Sequence, residues 1–102
     1  MHERYLLLGG LVAMGIDPSG RYLLAVSHSG RGVFDTSTWE RVARDDSLAY
    51  PAHGIAIGIG PIDGQEIQVV GVNFETGTLD LESPGGDYLL SYEYGTITVR
   101  RE

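Results

Sequence analysis

Short apolar and β-branched runs of four to eight residues recur along the chain between turns rich in glycine, proline and aspartate. Such runs are typical of consecutive antiparallel strands, whereas alternation with helices would need longer segments of 3.6-residue period. The pattern therefore predicts an all-β fold, and residues 1–102 suffice for a single domain. We expect strands near 4–8, 11–16, 21–27, 31–35, 39–43, 54–59, 66–74, 78–82, 87–93 and 95–101.

The turn sequences indicate where these strands reverse. Asp17-Pro18-Ser19-Gly20 carries proline at the second position and glycine at the fourth, as type I turns do, which predicts a hairpin of strands 11–16 and 21–27. The Asp63-Gly64 pair can adopt the positive φ angles of a primed hairpin turn. Two further glycine-centred reversals are expected at 75–78 and 84–87.

Two segments admit more than one interpretation. Ser37-Thr38-Trp39-Glu40 has capping-box spacing and could begin a helix through Ala43, but the strand-rich context favours a turn followed by a short strand. The glycines of Gly54–Gly60 resemble a phosphate loop, yet Pro61 and a further β-rich run follow where such a loop needs a helix. We expect Ile55, Ile57 and Ile59 to pack on one face, with the small residues on the other face allowing close approach of another layer.

The net charge of −7 is distributed unevenly. Residues 1–44 hold four acids and five arginines, whereas residues 45–99 hold nine acids and neither lysine nor arginine. A negative field of this kind repels phosphate backbones and attracts basic surfaces, so it argues against nucleic acid and favours a basic protein partner. The excess could also serve only to keep the domain soluble.

Missing residue types exclude several chemistries. Without cysteine the chain can form no disulfide or thiolate metal site, which is consistent with a cytoplasmic location, and without lysine it can form no Schiff base. The apolar run Tyr5–Ile16 has the length of a signal-peptide core but is too short for a membrane span. Since Glu3 and two glycines interrupt that signal and Met1 is present, we expect strands there and no membrane association.

Two stretches, 11–46 and 54–101, resemble each other at a period of a little over forty residues. The first, with Asp17-Pro18-Ser19-Gly20, the Arg21-Tyr22-Leu23 strand and Phe34-Asp35-Thr36, resembles a blade of the tryptophan-aspartate-repeat β-propellers. The Gly-His pair of that family is absent. The resemblance implies a scaffold for protein contacts, and because two blades cannot close a ring, it implies assembly with further copies or a small sandwich or barrel instead.

Candidate catalytic and metal-binding residues are few. Ser27-His28-Ser29 and Asp35 have the residue types of a hydrolytic triad, but alternation along a strand would point His28 away from both serines, and no nucleophile elbow surrounds them. His2, His28 and His53 lack metal-ligand spacing. Asp45-Asp46 and the Asp80/Glu82 pair lack a calcium-loop pattern, so we expect neither metal nor cofactor. The carboxylates of Asp80, Glu82, Asp87 and Glu93 leave glycoside hydrolysis open.

Tyrosines interleaved with acids near the end of the chain are the strongest interface candidates. Tyr88 and Tyr92 share the strand register of Leu90 and are expected in the core. The partner-binding residues are therefore predicted to be Asp80, Glu82, Asp87, Glu93 and Tyr94. These features favour a non-enzymatic protein-binding module, such as an immunity-like or antitoxin-like inhibitor of a basic protein. A homo-oligomer that binds a sugar-like ligand and a small hydrolase are the alternatives.

Overall fold

The computed structural model describes residues 2–46 and 53–101. They form ten strands and one short 3₁₀ helix at Gly60–Ile62, so the predicted all-β class is confirmed. The strands are β1 (His2–Leu7), β2 (Leu11–Ile16), β3 (Tyr22–Ser27), β4 (Gly30–Asp35), β5 (Arg41–Asp45), β6 (Gly54–Ile57), β7 (Glu66–Gly71), β8 (Leu79–Glu82), β9 (Tyr88–Glu93) and β10 (Thr96–Arg101). No helix among these residues has the length and apolar character needed to cross a bilayer.

The strands are arranged in two antiparallel sheets. The smaller sheet has the order β1-β10-β9-β8 and the larger has the order β5-β4-β3-β2-β7-β6. The predicted hairpin of β2 and β3 is confirmed, with Ile16 opposite Leu23. The chain thus leaves the smaller sheet after β1, builds the larger one, and returns to pair β10 with β1.

The predicted resemblance to propeller blades is wrong. Residues 54–101 do not fold as a second copy of residues 11–46, because β6 and β7 extend the larger sheet beside β2 while β8, β9 and β10 join β1 in the smaller sheet. Neither a propeller nor a closed barrel is formed by the described residues. The two packed sheets correspond instead to the sandwich alternative.

The main core lies between the two sheets. Met14, Leu23 and Ala25 from the inner face of the larger sheet pack with Leu90, Ile97 and Val99 of the smaller one. Tyr88 and Tyr92 are buried in this core, as their shared register with Leu90 predicted. Four strands cannot cover six, so the larger sheet extends past the smaller one on both sides.

The larger sheet curls around a second core on its other face. Leu24, Val26 and Val33 pack there with Ile62 and Ile67. Nη1 of Arg31 in β4 donates a hydrogen bond of 2.6 Å to the carbonyl oxygen of Ile57 in β6. Gly60 lies so close to β5 that a Cβ at this position would overlap the Cβ of Ala43. The curl therefore brings the β5 and β6 edges towards each other.

Packing along Gly54–Gly60 differs from the prediction. Ile55 and Ile57 are about half exposed on the inner face of β6, where the smaller sheet does not reach, whereas Ala56 and Gly58 are buried. A Cβ at Gly58 would overlap the carbonyl oxygen of Ile62, so the small residues do allow the expected close approach of another segment. Ile59 packs against the second core. For residues 55–58 the alternation was correctly predicted with the buried and exposed faces exchanged, whereas Ile59 packs as predicted but in the same core as Ala56.

The segment after β4 is a turn, and the helical alternative is wrong. Backbone N–H groups of Thr38 and Trp39 both donate to the carbonyl oxygen of Asp35, at 3.3 and 2.6 Å. Trp39 then adopts a φ of 60°, which ends the turn and directs the chain into β5. A left-handed residue cannot continue a right-handed helix.

Two hairpin loops have the same hydrogen-bond pattern. In the first, the Gly20 N–H donates to the Asp17 carbonyl at 2.9 Å and the Tyr22 N–H donates to an Asp17 carboxylate oxygen at 2.9 Å. In the second, the Gly86 N–H donates to the Ser83 carbonyl at 2.9 Å and the Tyr88 N–H donates to Ser83 Oγ at 3.2 Å. Both loops place proline at the second position, and each positions a tyrosine at the start of a core strand.

The Asp63-Gly64 turn is type II and not the primed turn expected from its sequence. Asp63 has φ −53° and ψ 133°, and Gly64 has a φ of 78°. The Gln65 N–H closes the turn on the Ile62 carbonyl at 3.0 Å. The turn follows the 3₁₀ helix inside the longer loop between β6 and β7 and is not a two-residue hairpin turn, so the strand twist that favours primed turns does not act on it.

Candidate functional site

The outward-facing side of the smaller sheet, called here the outer face, carries most of the predicted partner-binding residues. Strand register sets Asp80 of β8 opposite Ser91, Ser91 opposite Thr98, and Thr98 opposite Tyr5 of β1. These four side chains form one row across the sheet, because residues at paired positions of neighbouring strands share a face. The row is acidic at the β8 edge and aromatic at the β1 edge.

The rows on either side differ from this one in composition. On one side, Glu82 is opposite Leu89 and Leu89 is opposite Arg100. On the other, Glu93 is opposite Thr96 and Thr96 is opposite Leu7. The outer face therefore combines carboxylates on β8 and at the end of β9 with the apolar side chains of Tyr5 and Leu7 on β1, and it also carries one arginine, Arg100.

Apolar exposure on the outer face is unusually high for β1. Tyr5 is 62% exposed and Leu7 is 87% exposed, although both are strand residues of an intact sheet. Leu6 between them is directed inward and packs against the main core. Tyr5 and Leu7 were not among the predicted partner-binding residues, because the apolar run that contains them was interpreted only as strand. The detectable signal is three successive leucines in one strand, since alternation must expose one of them.

Tyr94 lies at the tip of the hairpin between β9 and β10. It has a φ of 50° and is followed by Gly95 with a φ of 76°, so the pair forms a type I′ turn. Its side chain is 91% exposed. A bulky residue in the left-handed region costs on the order of 1 kcal/mol, and asparagine would avoid most of that cost. Because its side chain is so exposed, Tyr94 gains little from packing to offset that cost.

The five predicted residues do not form one compact cluster. Asp80, Glu82 and Glu93 share the outer face, as the strand register requires. Asp87 lies in the loop before β9 and Tyr94 lies in the turn after it, so the two are roughly 20 Å apart along the strand. A partner spanning the outer face could contact either Asp87 or Tyr94 together with the three acids. Tyr94 is adjacent to the apolar β1 edge, because the Leu8 N–H donates to the Gly95 carbonyl at 2.7 Å.

A polar network at the other end of the sheets fixes the loop between β4 and β5. Asp35 accepts hydrogen bonds from the hydroxyl and the backbone N–H of Ser37, at 2.7 and 2.9 Å. It also forms an ion pair with Arg21 at 3.3 Å. The two Ser37 hydrogen bonds hold the pKa of the Asp35 carboxyl below its ordinary value, and Arg21 adds to the effect. Asp35 is thus a structural carboxylate.

The aromatic part of this network joins the two sheets. The Arg101 guanidinium lies 5.2 Å from the Tyr88 ring and 6.0 Å from the Trp39 ring, and its Nη2 donates to the Thr36 carbonyl at 2.7 Å. The Tyr88 hydroxyl donates to the Gly20 carbonyl at 3.2 Å. Burial raises the pKa of Tyr88 above its ordinary value. All these groups are used within the fold.

The triad candidates are separated in space. Ser27 Oγ donates to the Gly30 carbonyl and accepts from the Ser29 N–H, both at 3.2 Å, so it completes the turn between β3 and β4. Asp35 pairs with Tyr22 at the opposite end of the same hairpin. Ser27 Oγ is thus engaged within the turn and Asp35 lies far from it, so these two residues are not arranged as the nucleophile and orienting acid of one triad.

Metal-binding geometry is also absent from residues 2–46 and 53–101, where no group of three or more histidine or acidic side chains is placed to hold an ion. The four carboxylates considered for glycoside hydrolysis are exposed on the outer face or in the loop before β9. None of the four faces another across a cleft in the way that paired acids flank a glycosidic bond.

The fold and outer face define a two-sheet all-β domain with one acidic and partly apolar sheet surface. No family model matches the chain, and neither a curated protein nor a solved structure has significant similarity to it.

Proposed function

We propose that this chain is a non-enzymatic protein-binding module that captures a basic protein through the outer face. The observation that carries the proposal is the placement of Asp80, Glu82 and Glu93 on the same flat surface as exposed Tyr5 and Leu7. Carboxylates steer a basic partner towards the surface, and aromatic and apolar side chains supply the contact that holds it. This division of roles matches the gradient from β8 to β1.

Charge distribution supports a basic partner over a nucleic acid or an anionic membrane. Residues 45–99 carry nine acids without lysine or arginine, and three of those acids lie on the outer face. A partner that neutralises them gains attraction at long range and loses it as salt is added. An immunity-like or antitoxin-like inhibitor would use such a surface to cover a basic active or binding site. The cysteine-free composition suits a cytoplasmic location.

The test uses two variants of equal charge change. Asp80→Lys, Glu82→Lys and Glu93→Lys together reverse the outer face, while Asp63→Lys, Glu66→Lys and Glu75→Lys reverse three exposed acids elsewhere in the same half of the chain. Proteins captured from cells of the chain's own source are identified, and the Kd of the recovered basic protein is measured at two salt concentrations. We expect the first variant to lose binding of the basic protein and the second variant to retain it.

Equal weakening by both variants would show that net charge alone attracts the partner, and the outer face would then not be the binding surface. Recovery of no basic protein by the wild type would remove the proposal altogether. Leu7→Ser separates the apolar contribution to binding from the electrostatic one, because it should raise the Kd without changing its salt dependence.

A further inference from the structure

An open cleft of about 390 Å³ lies where the larger sheet extends past β1. Its floor is formed by β3, β4 and β5, and the turn between β1 and β2 forms one wall. Small-molecule sites are typically concave and roughly 300–1,000 Å³ in volume. The cleft is separate from the acids of the outer face, and Leu7 borders both.

Glycine at position 32 keeps the cleft open. Gly32 lies opposite Ala25 of β3, so little side-chain volume fills the floor between these two strands. A Cβ at Gly32 would meet Arg41 Cδ at 3.5 Å and Phe34 Cε1 at 3.8 Å, which are ordinary contacts. The backbone therefore does not require glycine at this position, in contrast to Gly30, where a Cβ would overlap the Asp45 carbonyl.

Three arginines give this cleft a positive charge in an otherwise acidic protein. Arg41 and Arg44 of β5 both line it. Arg44 Nε is paired with Asp46 at 2.6 Å, whereas Arg41 makes no ion pair with any other residue of the described segments. Arg31 also borders the cleft, but its Nη1 is bonded to the Ile57 carbonyl. A carbonyl is neutral, so Arg31 keeps its charge and adds to the field of Arg41, whereas Asp46 offsets the charge of Arg44.

The cleft also has an apolar part, called here its apolar wall. Leu7, Leu8 and Phe34 line it, and Phe34 is only partly buried. A planar guanidinium binds a carboxylate through two parallel hydrogen bonds, and an apolar wall favours a hydrocarbon or aromatic body. Inorganic phosphate has no apolar body to place against this wall, so the cleft suits a carboxylate that carries one.

From the cleft volume, the Arg41 guanidinium and the apolar wall, we infer that this cleft binds a small monocarboxylate with an apolar or aromatic body. Arg41 holds the carboxylate at the mouth, Arg31 adds to the field, and the hollow above Gly32 accepts the body beside Phe34. This site is additional to the protein-binding outer face, since neither Arg41 nor Gly32 belongs to that face.

Amide chemical shifts of the ¹⁵N-labelled protein test this site. 3-Phenylpropionate is the probe, 3-phenylpropionamide is its neutral counterpart, and inorganic phosphate is the competing anion. We expect 3-phenylpropionate to shift Gly30, Gly32 and Phe34 to saturation, and the amide to bind roughly tenfold more weakly because it forfeits a hydrogen bond to a charged group. Phosphate should need a higher concentration than the carboxylate.

Variants assign the effect to the cleft. Arg41→Gln should weaken 3-phenylpropionate roughly tenfold, whereas Arg100→Gln, an equal charge change on the outer face, should leave it unchanged. Gly32→Leu should abolish the shifts by filling the hollow. If that variant does not give a folded spectrum, Gly32→Ala, whose methyl group fits, should weaken binding with the fold retained.

Three outcomes would overturn the inference: no saturable shifts at the cleft with the carboxylate, equal or tighter binding of phosphate at the same amides, or unchanged affinity in Arg41→Gln. None of them bears on capture of a basic protein by the outer face. Conversely, loss of that capture in the reversed outer-face variant would leave carboxylate binding intact, so the two proposals fail separately.

Discussion

Trp39 in the turn before β5 meets Tyr88 of β9 edge to face, with ring centroids 5.6 Å apart and ring planes at 89°. The contact joins the larger sheet to the smaller one at the end where both proline-containing loops lie. Trp39 is buried there although its φ of 60° is unfavourable for a bulky side chain. Packing therefore holds the residue in a conformation that its backbone would otherwise avoid.

Replacement of Trp39 separates packing from backbone strain. Trp39→Ala is expected to lower the free energy of unfolding by about 3–5 kcal/mol, as loss of a large buried aromatic does. Trp39→Gly should be less destabilising than Trp39→Ala by about 1 kcal/mol, because glycine adopts positive φ without cost. Urea denaturation measures both. The usual order, with alanine more stable than glycine, would contradict the strained geometry.

Asp35 makes the fold sensitive to acid. Since its pKa is lowered in the folded state, the carboxylate stabilises the fold above the unfolded pKa, and this stabilisation is lost as pH falls through the folded pKa. Below about pH 4 the wild type should lose stability more steeply than Asp35→Asn. Asp63→Asn, which removes an exposed turn carboxylate, should follow the wild type. Parallel profiles for Asp35→Asn and the wild type would exclude this role.

Tyr88 makes the opposite contribution at high pH. Its raised pKa keeps the buried phenol protonated in the folded state, so stability is present below the unfolded pKa of about 10 and declines as pH rises through the folded value. Tyr88→Phe should cost about 1 kcal/mol at neutral pH through the lost hydrogen bond to Gly20. The variant should also decline less above pH 10. Denaturant unfolding at several alkaline pH values checks both effects.

Tyr94 should show opposite effects on stability and binding. Tyr94→Asn supplies the residue that a type I′ turn prefers, so the free energy of unfolding should rise by about 0.5–1 kcal/mol. If the tip contacts the partner, the Kd of the captured protein should rise as well. Thr96→Asn, on the other side of the same turn, is the control for a general effect of asparagine. A less stable Tyr94→Asn would show that the turn is not strained.

Local features of the fold were well predicted from the sequence, because they depend on neighbouring residues. Proline at Pro18 and Pro84 followed by glycine two residues later marked both loops that begin core strands. The alternation of inward and outward side chains around Leu90 correctly predicted that Tyr88 and Tyr92 are buried. The ends of strands were less certain, as β5 shows by beginning at Arg41 instead of residue 39.

Pairing between distant strands was not predictable in the same way. Nothing in the alternation of β7 specifies that Val70 lies opposite Met14 of β2, or that β1 accepts β10 at the other end of the chain. Each exposed strand edge offers equivalent backbone groups, and the choice depends on how the whole core closes. The same strand pairing determines which residues form the outer face. It also determines where the cleft beside Gly32 and Arg41 lies.

The pairing of β1 with β10 has a mechanical consequence. Because the strands are antiparallel, His2 is opposite Arg101, and tension applied between these two positions would pull on their hydrogen bonds one pair at a time. The sheet should then unzip from this end at low force, in contrast to strands loaded in shear, where all the bonds resist together. Such a peeling strand would release Tyr5 and Leu7 from the outer face and withdraw Leu6 from the main core in the same event.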